Sequence, residues 1–269
     1  MAVSLEKVAS VDPIWSALRQ EAQELAAREP ALASFIHATI LKHDRLESAL
    51  SYHLAKKVGN EDISAMLARE IFDEALNTDG EIGAAVRADL SAVFERDPAC
   101  HSYAEAFLFY KGFHALECYR IGHWLWMQKR EGMALFFQSR ISERFDVDIH
   151  PAAKLGRGIM IDHATGVVIG ETAVVGDDVS MLHGVTLGGT GKETGDRHPK
   201  IGRGVLLSMG AKVLGNITVG EYSRIGAGSV VLKSIPARAT AVGVPAKVVS
   251  CAGCERPSQD MDQFIDDEG

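Results

Sequence analysis

Apolar residues in the first half of the chain recur at three- and four-residue intervals. Ile14, Leu18, Ala22 and Leu25 form one such series and Leu46, Leu50 and Leu54 another, the spacing that lines one face of an α-helix. The pattern predicts a helical segment from about Asp12 to Arg144. Asp12-Pro13 reads as cap and first turn, Glu29-Pro30 and Asp97-Pro98 as breaks between helices, and Gly59-Asn60 as a loop. Roughly six to eight short helices fit this length.

After Val147 the period changes to six. Aliphatic residues open successive units at Ile149, Leu155, Ile161, then Ile169, Val175, Met181, Leu187, and then Ile201, Leu207, Val213, Val219, Ile225 and Val231, and glycine follows many of them, as at Ile169-Gly170 and Ile225-Gly226. Such a repeat suits neither an isolated helix nor a hairpin sheet, but three units close one triangular coil with the aliphatic residue inside. Coils stacked at about 4.8 Å pair their backbones with one another and bury a continuous column. One expected column is Ile149, Ile169, Leu187, Val213 and Val231.

The frame slips twice. Ile161 to Ile169 is eight residues, and Leu187 to Ile201 is fourteen. The second slip extrudes a loop, 188–200 (GGTGKETGDRHPK), from an otherwise regular prism. A long excursion from a regular scaffold usually carries function, and a mere spacer has no need of Arg197-His198-Pro199. The expected fold class is therefore α+β, with an all-helical segment 1–146, a left-handed parallel β-helix over 147–250 with that one extruded loop, and an acidic flexible tail over 251–269.

Composition narrows the function classes. The 269 residues are 46% hydrophobic and carry a formal charge of −8, which leaves no general footprint for nucleic acid or an anionic membrane. The N-terminus has charges where a signal peptide needs an apolar stretch, and no apolar run approaches membrane-spanning length. Four cysteines, Cys100, Cys118, Cys251 and Cys254, are too few and scattered for a disulfide framework. The reading is a cytoplasmic protein with reduced thiols.

Particular stretches are more specific than the frame. VDIHPAAKLGRGIMIDHATG at 147–166, GVTLGGTGK at 184–192 and GDRHPKI at 195–201, with LASF at 32–35 and KGFHALECYRIGHWLW at 111–126, together resemble the serine acetyltransferase family over about Pro13 to Val249. The resemblance implies an enzyme of cysteine biosynthesis that moves acetyl from acetyl-CoA to the hydroxyl of L-serine. It further implies feedback inhibition by L-cysteine, and a homotrimer with active sites between neighbouring prisms, paired into a hexamer through the helical segments. An acetyltransferase for a sugar or another amino alcohol is the alternative within the same fold.

An alcohol becomes a competent nucleophile only as its proton is removed, so the reaction needs a base. His163 is the candidate, two residues after the inward Ile161 and expected at a corner; Asp148 could orient its ring, and the two match the family's catalytic pair. A zwitterionic substrate calls for a cation and an anion. Arg197 and His198 suit the carboxylate, and Asp162 and Asp97 the ammonium, again as in the family. In the hexapeptide frame His163, His183, Met209 and Ala227 fall at one corner of successive coils, so Met209 and Ala227, with Gly189 at the loop base, are expected along the acetyl-CoA path. Lys233, Arg238 and Lys247 are common surface cations and carry no weight.

Other signals are set aside. Thr186 stands where a phosphate-binding loop needs its first glycine and Glu193 follows Lys192, so a nucleotide cradle is not expected. His150, His163 and His183 raise the question of zinc, but no close histidine pair completes a ligand set, and the lone CxxC at Cys251 to Cys254 supplies two ligands where four are needed; no metal is expected. Residues 255–269 hold six acids and one arginine around Phe264-Ile265. Family members end in an isoleucine that inserts into O-acetylserine sulfhydrylase, whereas this sequence ends Asp-Glu-Gly269, which counts against that partnership unless a longer chain restores it.

Overall fold

The computed structural model describes residues 12–191, 194–251 and 255–263. Eight helices come first: α1 (Pro13–Arg28), α2 (Ala33–Ile36), α3 (Leu46–Val58), α4 (Ala65–Thr78), α5 (Gly80–Arg96), α6 (Tyr103–Phe109), α7 (Lys111–Met127) and α8 (Glu131–Phe145). Asp12 caps α1, its carboxylate accepting from the Trp15 N–H. Helices α1 and α5 end at Glu29 and Asp97 in non-helical backbone, because the proline that follows each disfavours the helical conformation in the residue before it. Helix α7 is enclosed on nearly every side from Gly112 to Gly122, and its Phe113 is among the largest fully buried side chains together with Phe72, Phe107 and Phe137.

From Val147 the chain makes short strands, three to a coil: β1 (Val147–Ile149), β2 (Lys154–Leu155), β3 (Met160–Ile161), β4 (Val167–Ile169), β5 (Val174–Val175), β6 (Ser180–Met181), β7 (Thr186–Gly188), β8 (Lys200–Ile201), β9 (Leu206–Leu207), β10 (Lys212–Leu214), β11 (Thr218–Val219), β12 (Arg224–Ile225) and β13 (Val230–Val231). Every third strand pairs in parallel, giving face A (β1, β4, β7, β10, β13), face B (β2, β5, β8, β11) and face C (β3, β6, β9, β12). Strand β14 (Ala239–Gly243) extends face C, and β15 (Ala246–Cys251) pairs antiparallel with it. The expected column stands in register: Ile149 on Ile169, Ile169 on Leu187, Leu187 on Val213, Val213 on Val231. All five side chains are buried.

Buried polar contacts seat the helices on the first coil. The Asp89 carboxylate accepts from the Ile159 N–H at 2.7 Å and from Arg120 at 2.5 Å, and Arg120 also donates to the Gly156 carbonyl at 2.8 Å. Glu117, fully buried, lies 3.6 Å from the same guanidinium. Burial and then the neighbouring Asp89 hold its carboxyl well above the ordinary glutamate range, against the pull of Arg120. Helix α7 starts so close to β3 that a Cβ on Gly112 would sit 1.9 Å from the Ile161 carbonyl oxygen. The helical half thus fixes the strand that leads to Asp162 and His163.

The tail expected to be flexible from residue 251 is ordered in part. Strand β15 runs to Cys251, and a helical turn, α9 (Pro257–Asp260), packs on α5, β6 and β9. Pro257 and Ser258 are buried there, and the Ser258 carbonyl accepts from Ser180 Oγ at 2.7 Å while Ser180 Oγ accepts from Arg96 at 3.0 Å. Acidic composition misleads because the docking depends on these few polar partners and one proline. Phe264-Ile265 and Cys254 lie outside the described residues.

Candidate active site

The prism has three corners; His163, Met209 and Ala227 lie at one, and Gly189, Arg197 and His198 at another. At the corner from face C to face A the two-residue frame slip swells the turn. His163 and Ala164 both adopt left-handed backbone, φ 54° and 61°, a conformation costing roughly 1–3 kcal/mol for a residue with a Cβ and concentrated at functional sites. Above them the turns stack by backbone bonds from Gly184 N–H to Thr165, Gly210 N–H to His183 and Gly228 N–H to Met209. His163, His183, Met209 and Ala227 therefore follow one another up one corner, as the hexapeptide frame implies.

The His163 side chain is 73% exposed. It borders a cavity of about 410 Å³ walled by Asp97, Tyr110, Lys111, Asp162 and Ile161. Asp97 arrives from the C-terminal end of α5, so the helical half supplies one wall. The Asp162 carboxylate is 3.7 Å from His163 Nε2. Burial raises the Asp162 pKa above the ordinary carboxylate value, the His163 ring opposes this, and the Asp97 charge adds to it. Two carboxylates facing one space at mutual cost form a receptor for a cation.

Arg197, His198 and Gly189 occupy the next corner, from face A to face B. Thr172 organises them: its Oγ1 accepts from the N–H of Arg197 at 3.0 Å and of His198 at 3.1 Å, and its own N–H donates to His198 Nδ1 at 3.2 Å. Arg197 is paired with Glu171 at 2.6 Å, which holds the Glu171 carboxyl below the usual range. Burial, and then Arg197, lowers the His198 pKa. The His198 ring has room only because residue 170 is glycine; a Cβ there would lie 2.1 Å from its Cδ2 and Nε2.

Within one chain the two groups are separated by the width of face A, about four residues or roughly 13 Å. Asp148 sits mid-face on β1, pointing outward between the inward Val147 and Ile149. Its Oδ1 accepts from Gln138 of α8 at 2.7 Å. Among the described residues of one chain, Asp148 is held by Gln138 and the carboxylate beside His163 is that of Asp162. His150 belongs with the second group, away from His163 and His183, so the three histidines do not converge. Glu171 and Thr172 are the functional neighbours that sequence reasoning missed; their signal was position, on the same corner one coil below Arg197 and His198.

A family model described as serine acetyltransferase, N-terminal, matches residues 14–118, and one described as bacterial transferase hexapeptide (six repeats) matches 198–233. Serine acetyltransferase of Salmonella typhimurium is 56% identical over 252 residues, 94% of this chain and 92% of that protein. The chain belongs to the serine acetyltransferase family. A solved serine acetyltransferase in complex with cysteine superposes with a TM-score of 0.92 at 55% identity, covering 94% of this chain and 98% of the other. Serine acetyltransferase of Brucella abortus, in complex with coenzyme A, superposes at 0.90 with 51% identity, covering 93% and 100%. The coiled prism is the left-handed β-helix of hexapeptide-repeat acyltransferases.

Proposed function

We propose that this chain is a serine O-acetyltransferase that carries the acetyl group of acetyl-CoA to the hydroxyl of L-serine, the first step toward cysteine, without a metal. The observation that carries the reading is the meeting of Asp97, Asp162 and His163 on one cavity, an anionic receptor beside an exposed imidazole. The serine ammonium sits between the two carboxylates, and its hydroxyl points at His163. Arg197, with His198, holds the substrate carboxylate by a charge-assisted fork, releasing Glu171 when substrate arrives.

Because Arg197 and His198 sit a face away from His163 in the same chain, the site is completed by a second copy. One copy presents the corner with His163, and its neighbour presents the corner with Arg197, His198 and Gly189. Three prisms close such a ring, and segment 1–146 pairs two rings into a hexamer. Asp148 of the neighbouring face then orients the His163 ring. The pantetheine arm lies in the cleft along Gly189, Met209 and Ala227. L-cysteine, alike in carboxylate and ammonium, competes at Asp97, Asp162, Arg197 and His198.

In the chemical step the serine oxygen bonds to the thioester carbonyl carbon as its proton passes to His163, and the carbonyl electron pair moves onto oxygen. Collapse restores the carbonyl and breaks the C–S bond, and the departing thiolate takes the proton back from His163. Among the described residues lining the cavity beside His163 there is no cysteine or serine, and attack is direct. The chain acts in the cytoplasm, consistent with the free, buried thiols of Cys100 and Cys118. Among the described residues no helix is long and apolar enough to cross a membrane.

The reading is tested by thiol release that requires both serine and acetyl-CoA. His163→Ala should lower kcat by about 10²–10⁴, and Arg197→Ala should raise the serine KM while sparing that for acetyl-CoA. Normal turnover in His163→Ala would remove the base from the mechanism.

A further inference from the structure

The loop over 188–200 leaves the prism after β7 and is rich in glycine, with Gly195 in left-handed backbone at φ 79°. Ordering such a segment is costly in conformational entropy, yet the residues that follow Gly195 are firmly tied to the prism. One of the ties is Lys200, to which the reaction described above gives no task. Its backbone is rooted in face B, where it stands in register between Val174 and Thr218, and its side chain reaches back across the loop base. Nζ donates to the Asp196 carboxylate at 2.5 Å, to the Thr172 carbonyl at 2.7 Å and to the His198 carbonyl at 3.0 Å. An ammonium offers three N–H donors, and three acceptors surround this one. The first of these bonds also keeps the Asp196 carboxyl below the usual aspartate range.

We propose that Lys200 is a positioning residue for the substrate carboxylate, tying both chain neighbours of Arg197 to the prism so that only the guanidinium moves when serine enters; this rests on Arg197 holding that carboxylate. Thr172 Oγ1 accepts from the N–H of Arg197 and of His198, and Lys200 secures the residue on either side, Asp196 by its side chain and His198 by its carbonyl. The peptide groups around Arg197 are thus fixed before substrate binds. What stays free to move is the Arg197 side chain, whose partner Glu171 is, like itself, partly exposed, and ion pairs at such positions contribute little. Exchanging Glu171 for a substrate carboxylate is then a side-chain step that spends no binding energy on ordering the loop. Without the ammonium the substrate itself has to order residues 196–198, and the loss falls on substrates that carry a carboxylate.

The test compares Lys200→Met, Lys200→Arg and Arg197→Ala in the full-length enzyme. Kinetics are measured with L-serine and with L-serinamide, whose neutral amide replaces the carboxylate, each against acetyl-CoA. Methionine keeps an unbranched stem without donors, whereas arginine keeps the cation and its N–H groups. Lys200→Met is expected to lower kcat/KM for serine by about tenfold to 100-fold through KM, with kcat/KM for serinamide and KM for acetyl-CoA within about threefold of the parent. Lys200→Arg is expected to recover to within about threefold. The ratio of serine to serinamide is taken within one preparation, so any loss of folded protein cancels from it. An unchanged ratio in Lys200→Met, or equal losses with methionine and arginine, overturns the positioning role. An unchanged ratio in Arg197→Ala instead overturns the carboxylate assignment beneath it.

Discussion

Gly170→Ala places one methyl group against the substrate-carboxylate corner and nothing else. The new Cβ would lie 2.1 Å from His198 Cδ2 and Nε2, whereas carbon contacts settle at about 3.5–4.0 Å, so the ring must retreat by roughly 1.5 Å. The ring cannot move alone. Its Nδ1 is bonded to Thr172, and Thr172 Oγ1 also anchors the backbone of both Arg197 and His198. A shift of that size therefore reaches the guanidinium proposed to hold the serine carboxylate. Misplacement by about 1 Å can cost about 100-fold in rate, and we expect kcat/KM for serine to fall by about that factor. Residue 170 does not have left-handed backbone, so alanine strains no dihedral and the melting temperature should stay within a few degrees. Steady-state kinetics in both substrates, with a thermal melt as control, decide the matter. Activity within about threefold of the parent would show that the crowding of His198 does not govern the site.

Two further outcomes concern the scaffold. Leu187→Ala empties the middle of the aliphatic column between Ile169 and Val213 and should cost about 2–5 kcal/mol in urea unfolding. Glu117→Gln should stabilise the protein, in a pH-dependent way. The folded chain retains a Glu117 proton that the unfolded chain releases near the ordinary value of 4.5, so this residue weakens the fold progressively as pH rises above that point. The variant should therefore melt higher than its parent at pH 8, with the gap closing toward pH 5. An equal gap at both pH values would contradict a protonated Glu117.

The aliphatic column was legible because each inward position must be apolar, and a six-residue spacing leaves one way to stack it. The same arithmetic placed His163, His183, Met209 and Ala227 on one edge. It could not place Asp148, because a period reports which residues face outward but not what an outward residue meets, and Gln138 lies on a helix outside the repeat. The bond network joining Thr172 to Arg197 and His198 spans a loop whose path no spacing rule describes. Asp97 was visible as a break before Pro98, yet its entry into the cavity depends on how Asp89 and Arg120 seat α5 and α7 on the first coil. Docking of Ser258 depends on a similar pair, Arg96 and Ser180, which composition does not reveal.

The separation of the two groups onto different corners has a genetic consequence. In the proposed ring every junction would draw one half from each of two protomers, so a lesion in His163 and a lesion in Arg197 would spoil different halves. Protomers dead by the first and protomers dead by the second, co-expressed in equal amounts, would leave about one junction in four with both halves sound. Two inactive alleles would then complement, whereas two lesions at the same corner would not.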